Sequence, residues 1–143
     1  MTVRKILEAK GRAVATIGPD RTLAEAAQSL GEQRIGALVV TDGEGRIAGI
    51  LSERDIVRVI GRDGALGLDH RVSDVMTTNV TTCTDNQTTS QLLEIMTNGR
   101  FRHLPVERDG LLDGIISIGD VVKLRIQDVE REAEEIKSYI SSA

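Results

Sequence analysis

The feature that most constrains this fold is an internal duplication. The residues from Gly49 to Ile56, Gly-Ile-Leu-Ser-Glu-Arg-Asp-Ile, recur from Gly114 to Val121 as Gly-Ile-Ile-Ser-Ile-Gly-Asp-Val. Weaker matches occur in the same order elsewhere, and the slips in their spacing fall where loops are expected. These matches are Val3–Leu7 with Val72–Met76, Val14-x-Thr16 with Val80-x-Thr82, Thr22 with Thr88, and Leu38–Val40 with Leu104–Val106. Several ordered matches indicate a duplicated structural unit.

Each copy reads as a β-α-β-β-α unit. The expected strands are Ala13–Ile17, Ala37–Val40 and Ile47–Leu51 in the first copy, and Val80–Cys83, His103–Val106 and Leu112–Ile116 in the second. Thr22 and Thr88 are the expected N-caps of the first helices, and Asp42–Gly45 and Asp109-Gly110 are hairpin turn signals. A second helix should begin after Ser52 and after Ser117. The pattern predicts an α/β (α+β) fold, with helices on one face of a three-stranded sheet in each copy. We expect the two copies to pack face to face about a pseudo-twofold axis.

The duplication sets the expected domain organisation. Residues 1–62 form the first repeat, residues 63–71 a glycine-rich and charged linker, and residues 72–124 the second repeat. Residues 125–143 belong to a long C-terminal amphipathic helix that starts near Gly119. Its apolar positions follow a heptad seam, namely Val122, Ile126, Val129, Ala133, Ile136 and Ile140. This seam favours a subunit interface in a homodimer over packing on its own domain, although a seam this short is marginal alone.

Composition excludes several function classes. The only aromatic residues are Phe101 and Tyr139, and the net charge is −4, so both base-stacking platforms and a basic surface for nucleic acids are missing. Cys83 is the single cysteine, which permits neither an internal disulfide nor a cysteine zinc cluster and suits a reducing cytoplasm. Met1–Gly11 lacks the apolar stretch of a signal peptide, and no apolar run is long enough for a membrane span. No metal site or catalytic residue is expected.

The repeated turns, Ser52-x-x-Asp55 and Ser117-x-x-Asp120, allow two interpretations. In the first they are N-terminal capping boxes, in which the serine hydroxyl accepts an amide proton and the carboxylate reaches back. In the second they bind a ligand as well. A helix N-terminus suits a phosphate, and a carboxylate offers two acceptor oxygens to the vicinal hydroxyls of a ribose. Apolar strand residues nearby would pack on a flat adenine; these are Ile50, Ile115 and Val14.

With these turns on a duplicated β-α-β-β-α unit, the chain closely resembles tandem CBS domains, the cystathionine β-synthase type of regulatory pair called a Bateman module. The resemblance covers about Val3 to Leu124 and extends to stand-alone bacterial CBS-pair proteins. It implies clefts between the repeats for adenosyl ligands such as AMP, ADP, ATP or NAD(H). It also implies that Asp55 and Asp120 hold riboses, that Ser52 and Ser117 lie near phosphate, and that Thr16 and Thr82 line the opposite wall.

The resemblance also predicts that the two sites are unequal. Arg102 and His103 precede the second buried strand, where the family often carries basic residues that face phosphate. Gly36 and Ala37 stand at the matching positions of the first repeat, where Arg34 or Arg54 would have to substitute. Which site binds better stays open.

We therefore expect a regulatory module that senses adenine nucleotides and signals to an effector protein, with no catalytic cofactor. The alternative is a non-catalytic interaction or dimerisation module whose Ser-x-x-Asp turns only cap helices. An enzyme is the least favoured interpretation, because the repeats and the tail account for the residues present.

Overall fold

The structure is a computed structural model, and it describes residues 2–142; Met1 and Ala143 lie outside the described residues. The helices are α1 (Val3–Lys10), α2 (Leu23–Gln33), α3 (Glu53–Asp63), α4 (Val72–Val75), α5 (Thr89–Gly99) and α6 (Ile118–Ser142). The strands are β1 (Thr16–Ile17), β2 (Ala37–Thr41), β3 (Ile47–Ser52), β4 (His103–Arg108) and β5 (Leu111–Ser117). The α/β class predicted from the sequence is confirmed.

Contacts divide the chain into two compact units. The first unit comprises Ala13–Thr82 and Glu107–Asp113, and the second comprises the residues up to Arg12, Cys83–Val106 and the chain from Gly114 onwards. Each unit has its own aliphatic core, because the chain supplies few aromatic side chains to fill one.

The first unit contains the predicted three-stranded sheet. Strand β2 lies in the middle, parallel to β1 and antiparallel to β3, so that Val39 pairs with both Thr16 and Ile50. The buried residues of β2 read as a continuous apolar run, as expected for a central strand. The core residues include Leu23, Leu30, Leu38, Val40, Leu51, Ile56, Val59 and Val72. The segment after α3 forms a 3-10 helix, Gly64–Asp69, in which Gly67 is buried against Val59.

In the second repeat the sheet is smaller than predicted. Strands β4 and β5 form a two-stranded sheet, joined at Asp109-Gly110, where both residues have positive φ. The strand predicted at Val80–Cys83 is wrong: only Cys83 pairs, through one parallel bridge to Val106. In the first repeat, too, the predicted strand Ala13–Ile17 shortens to β1. Both segments lie at a sheet edge, where a strand is held by one neighbour only. In addition, the Thr82 hydroxyl bonds the Glu107 carboxylate at 3.2 Å, a side-chain contact that does not extend the backbone ladder.

The short helix that opens each repeat packs in the core formed by the other repeat. Val3, Ile6 and Leu7 of α1 are buried in the second unit, while Val72 of α4 is buried in the first. The glycine that opens each repeated motif makes room for this helix. A Cβ on Gly49 would lie 2.6 Å from Met76 Sδ, and a Cβ on Gly114 would lie 2.8 Å from Leu7 Cδ2.

Helix α6 has a buried start and an exposed remainder. Val121 and Leu124 pack in the core of the second unit, whereas the predicted seam is uncovered: Ile126 is 52% exposed and Ile136 is 60% exposed. The long helix expected from about Gly119 to Ser141 is confirmed. The alternative in which its seam packs on its own domain is wrong for the described residues. Within residues 2–142, no helix combines the length and apolarity needed to cross a bilayer.

Candidate functional site

The two Ser-x-x-Asp turns are capping boxes with the same geometry. Ser52 Oγ accepts the Asp55 amide proton at 3.3 Å, and Asp55 Oδ2 accepts the Ser52 amide proton at 2.9 Å. At the start of α6 the corresponding distances are 3.1 Å for the Asp120 amide to Ser117 Oγ and 2.9 Å for the Ser117 amide to Asp120 Oδ2. The capping interpretation is confirmed, and in both caps the backbone bond goes to Oδ2. Capping alone does not decide whether the turns also bind a ligand.

A backbone contact brings the residues at the start of β2 and of β4 to the two turns. The Glu53 amide donates to the Gly36 carbonyl at 2.9 Å, and the Ile118 amide donates to the Arg102 carbonyl at 2.8 Å. In the first unit, Ala37 also pairs with Ser52. The structure therefore places Gly36-Ala37 beside the first turn and exposed Arg102, followed by half-buried His103, beside the second. The chemical difference expected from the sequence lies next to the two turns.

The other predicted site residues lie on or beside strands and on the first turn of α3. Ile50 and Ile115 are half-buried and lie two residues before Ser52 and Ser117. In the first unit, Thr16 is exposed on β1, half-buried Val14 precedes that strand, and Arg54 is exposed on the first turn of α3. Thr82 also belongs to the first unit, where its hydroxyl bonds Glu107.

Sequence reasoning missed Lys10. The Lys10 ammonium, at the end of α1, donates to Asp120 Oδ2 at 2.7 Å and to the Ile115 carbonyl at 3.1 Å. The available signal was the weak match between Val3–Leu7 and Val72–Met76. It showed that α1 opens a repeat, but it did not show that α1 packs in the core of the other repeat. If the alignment of Val3–Leu7 with Val72–Met76 is extended, Lys10 is aligned with Asn79. The second repeat therefore has an uncharged residue where the first repeat has this lysine.

The electrostatics of the two carboxylates differ. Partial burial raises the pKa of Asp120, but hydrogen bonds from Lys10 and from Ser117 outweigh it, so the pKa lies below its ordinary value. At the first turn, the nearest cation to Asp55 is the largely exposed Arg58, with 3.7 Å between Nη1 and Oδ1. The second turn therefore carries a carboxylate already held by a cation from another helix.

We expect Lys10→Met to lower the free energy of unfolding by up to about 1 kcal/mol near neutral pH, since the pair is partly exposed. Because the folded-state pKa of Asp120 is depressed, this stabilisation is present above the unfolded pKa, near 3.8. It is lost as the pH falls through the lowered folded value. Urea unfolding of both proteins at several pH values between 7 and 3 checks this. The control is Lys5→Met, an exposed lysine on the same helix. A difference between wild type and Lys10→Met that persists undiminished in acid would contradict the assignment.

A groove of about 550 Å³ lies beside the first turn, between the end of α2 and the start of α3. Its lining is mainly apolar, with Arg34 and Glu53 as the charged residues. Arg34, one possible substitute for the missing basic pair, is the left-handed C-cap of α2 and faces this groove. Among residues 2–142, no cluster of histidine, cysteine or acidic side chains is arranged to hold a metal ion.

Comparison with known proteins agrees with this architecture. The family model for the CBS domain matches residues 3–62 and 72–126. The crystal structure of the CBS-domain containing protein ATU1752 from Agrobacterium tumefaciens is 54% identical, with a TM-score of 0.85; the match covers 87% of this chain and 99% of that chain.

Two more distant structures share the fold and were solved with ligands. One is the CBS domain pair of protein MJ0100 in complex with methylthioadenosine and S-adenosyl-L-methionine. It is 22% identical, with a TM-score of 0.80 over 90% of this chain and 98% of that one. The other is CBSX2 in complex with AMP, which is 23% identical, with a TM-score of 0.72 over 80% and 89% of the two chains. Every one of these ligands contains an adenosine moiety.

Proposed function

This chain belongs to the CBS-domain family, and on that basis we propose that it is a regulatory module that binds an adenine nucleotide, AMP, ADP, ATP or NAD(H), at its repeated turns. Pairs of CBS domains are regulatory modules, and distant relatives bind AMP, S-adenosylmethionine and methylthioadenosine. The observation that carries the proposal is the duplicated cap. Each repeat presents a serine and a carboxylate at the N-terminus of a helix, directly after an apolar strand.

The chemistry of each turn matches one part of a nucleotide. The carboxylate of Asp55 or Asp120 accepts hydrogen bonds from the two ribose hydroxyls, and such charge-assisted bonds are stronger than neutral ones. Ser52 or Ser117 and the helix N-terminus favour a phosphate. Adenine would pack on Ile50 or Ile115.

The second turn differs in the charges that a ligand would meet. Arg102 and His103 lie at the start of β4 and offer a phosphate a guanidinium group and an imidazole ring, whereas Gly36 and Ala37, at the start of β2, offer no polar side chain. Lys10 already bonds Asp120 Oδ2, so its ammonium must leave that oxygen before a ribose diol can use both carboxylate oxygens.

Several further properties belong to the same proposal. The protein acts in the cytoplasm as a homodimer, catalyses no reaction, and transmits its ligand state to an effector protein. A ligand can shift a conformational equilibrium only by its differential affinity for the two states. The effector must therefore recognise a feature that differs between the bound and free forms.

Thermal unfolding with AMP, ATP, NAD and S-adenosylmethionine tests the ligand class. At a hundredfold excess over Kd, a ligand stabilises the native state by about 2.7 kcal/mol, which corresponds to a Tm increase of roughly 8 °C for a chain of this size. CMP serves as the matched control for AMP, because the two nucleotides share the ribose and the single phosphate and differ only in the base. Native mass spectrometry of the purified protein would add the mass of any bound nucleotide.

A second candidate function is a protein-interaction module whose turns only cap helices. The observation that favours it is the complete capping geometry at both turns, which accounts for the serine and the carboxylate without a ligand. Absence of any Tm shift at millimolar concentrations of all four adenosyl compounds would reject the proposed nucleotide site and leave this alternative.

A further inference from the structure

We propose that α6 pairs with α6 of a second copy of this chain as a parallel, in-register, two-stranded coiled coil. The inference starts from the homodimer of the proposed function, adds its contact surface and orientation, and does not depend on nucleotide binding. The surface is the exposed seam of α6, whose six residues repeat with alternating spacings of four and three.

The seam faces away from the body of its own unit. In heptad terms, Ile126, Ala133 and Ile140 occupy the a positions, and Val122, Val129 and Ile136 occupy the d positions. Leu124, which packs in the core, is at f, on the side of the helix opposite the seam. The exposed fraction of the seam side chains is 42% at Val122, its first residue, and 67% at Ile140, its last. One side of α6 is therefore used by its own unit, while the apolar side is left for another helix.

The charges that flank the seam favour parallel pairing. In a parallel coiled coil, each g residue lies next to the following e residue of the other helix. Arg125 at g would then face Glu130 of the second copy, and Glu132 at g would face Lys137. Twofold symmetry repeats both contacts, so the seam is flanked by four attractive pairs.

An antiparallel pair with the same overlap is unfavourable. It sets e against e and g against g, which brings Glu130 next to Glu130 of the second copy, Glu132 next to Glu132, and Lys123 next to Lys137. A shift of one heptad relieves this repulsion but leaves two of the six seam residues of each helix without a partner. Parallel, in-register pairing is the arrangement that buries the whole seam with opposite charges beside it.

Disulfide cross-linking tests the orientation directly. In a parallel pair, residue 126 of one copy lies beside residue 126 of the other near the start of the seam, and the two copies of residue 140 lie side by side near its end. The variants Ile126→Cys and Ile140→Cys should therefore each form a covalent dimer under mild oxidation. In the fully overlapped antiparallel pair, the two copies of residue 140 are about 27 Å apart along the axis, beyond the reach of a disulfide. The matched control is Ser138→Cys, at an exposed f position. Native Cys83 should not form a cross-link, because burial raises the pKa of its thiol to about 12.

Charge exchange tests the flanking pairs. We expect Arg125→Glu to weaken dimerisation several-fold in analytical ultracentrifugation, because it places two glutamates together. The double variant Arg125→Glu/Glu130→Arg should restore it, because it reverses the pair. In the fully overlapped antiparallel arrangement, the second substitution only replaces the contact between two glutamates at position 130 with a contact between two arginines. In the arrangement shifted by one heptad, it places an arginine beside a lysine. Neither antiparallel arrangement therefore gives rescue.

The outcomes separate this inference from the nucleotide proposal, since both experiments are done without nucleotide. A dimeric mass with self-cross-links at both 126 and 140, and with charge rescue, supports parallel pairing. A dimeric mass without the cross-link at 140 overturns the orientation and leaves the homodimer intact. A monomer, or an assembly of three or more copies, overturns the pairing itself. None of these results decides whether the turns bind an adenosyl ligand.

Discussion

Replacing Asp120 with alanine is expected to abolish adenosyl-ligand binding at the second turn. The ribose diol would lose a charged acceptor for two hydrogen bonds, each contributing about 1.5–3 kcal/mol. The affinity of that site should therefore fall at least about 100-fold. Isothermal titration calorimetry with AMP measures this, and binding at the Asp55 turn should be retained.

The control for this variant has to separate capping from binding. Gln91 has the same capping role at the start of α5, where its side chain accepts the Thr88 amide proton at 2.9 Å. Gln91→Ala and Asp120→Ala should each cost about 1 kcal/mol of stability through the lost cap. Asp120→Ala should cost up to about 1 kcal/mol more, because it also removes the ion pair with Lys10. Only Asp120→Ala should lose ligand. If both variants titrate like the wild type, the Asp120 turn is a cap and nothing more.

Replacing Gly49 with alanine is expected to lower the free energy of unfolding by about 3 kcal/mol. The new Cβ would lie 2.8 Å from the carbonyl oxygen of Thr77. That backbone cannot easily move, because Thr77 and Ile50 exchange two backbone hydrogen bonds, both of 3.0 Å. Thermal unfolding should show a decrease in Tm of roughly 9 °C.

Two other glycines provide the comparison. In Gly114→Ala the clash would be with the end of the Leu7 side chain, which can rotate, so we expect a loss nearer 1 kcal/mol. Gly43 has open space around it and no positive φ, so Gly43→Ala should stay within about 0.5 kcal/mol of wild type. Equal losses of unfolding free energy in Gly49→Ala and Gly114→Ala would show that the clash with the Thr77 backbone is not the cause of the destabilisation.

Local rules explain what the sequence predicted well. The N-caps at Thr22 and Thr88 and the starts of α3 and α6 depend on residues within one helical turn, and the structure confirms all four. The repeated motif also led to the sheet of the first unit. The helical extent of α6 followed from its apolar period alone.

The features that the sequence predicted wrongly or missed depend on contacts between residues that are distant along the chain. Whether Val80–Cys83 forms a strand depends on its neighbours at a sheet edge, and only Cys83 finds a backbone partner there. The packing of α1 in the core of the second unit depends on partners far along the chain, such as Gly114 opposite Leu7. Lys10 reaches Asp120 only as a result of that packing, so no local pattern could have identified the ion pair.

Helix α6 connects the proposed ligand site at its start with the proposed dimer contact along its length. It begins at the cap that contains Asp120 and continues without a break through the seam, a length of about 37 Å for 25 residues. If a ligand at the cap changes how firmly the helix is held, the association of two copies changes with it. Thermodynamic linkage then requires the reverse, because association must alter ligand affinity by the same factor. The concentration of the protein itself would thus set its sensitivity to the nucleotide.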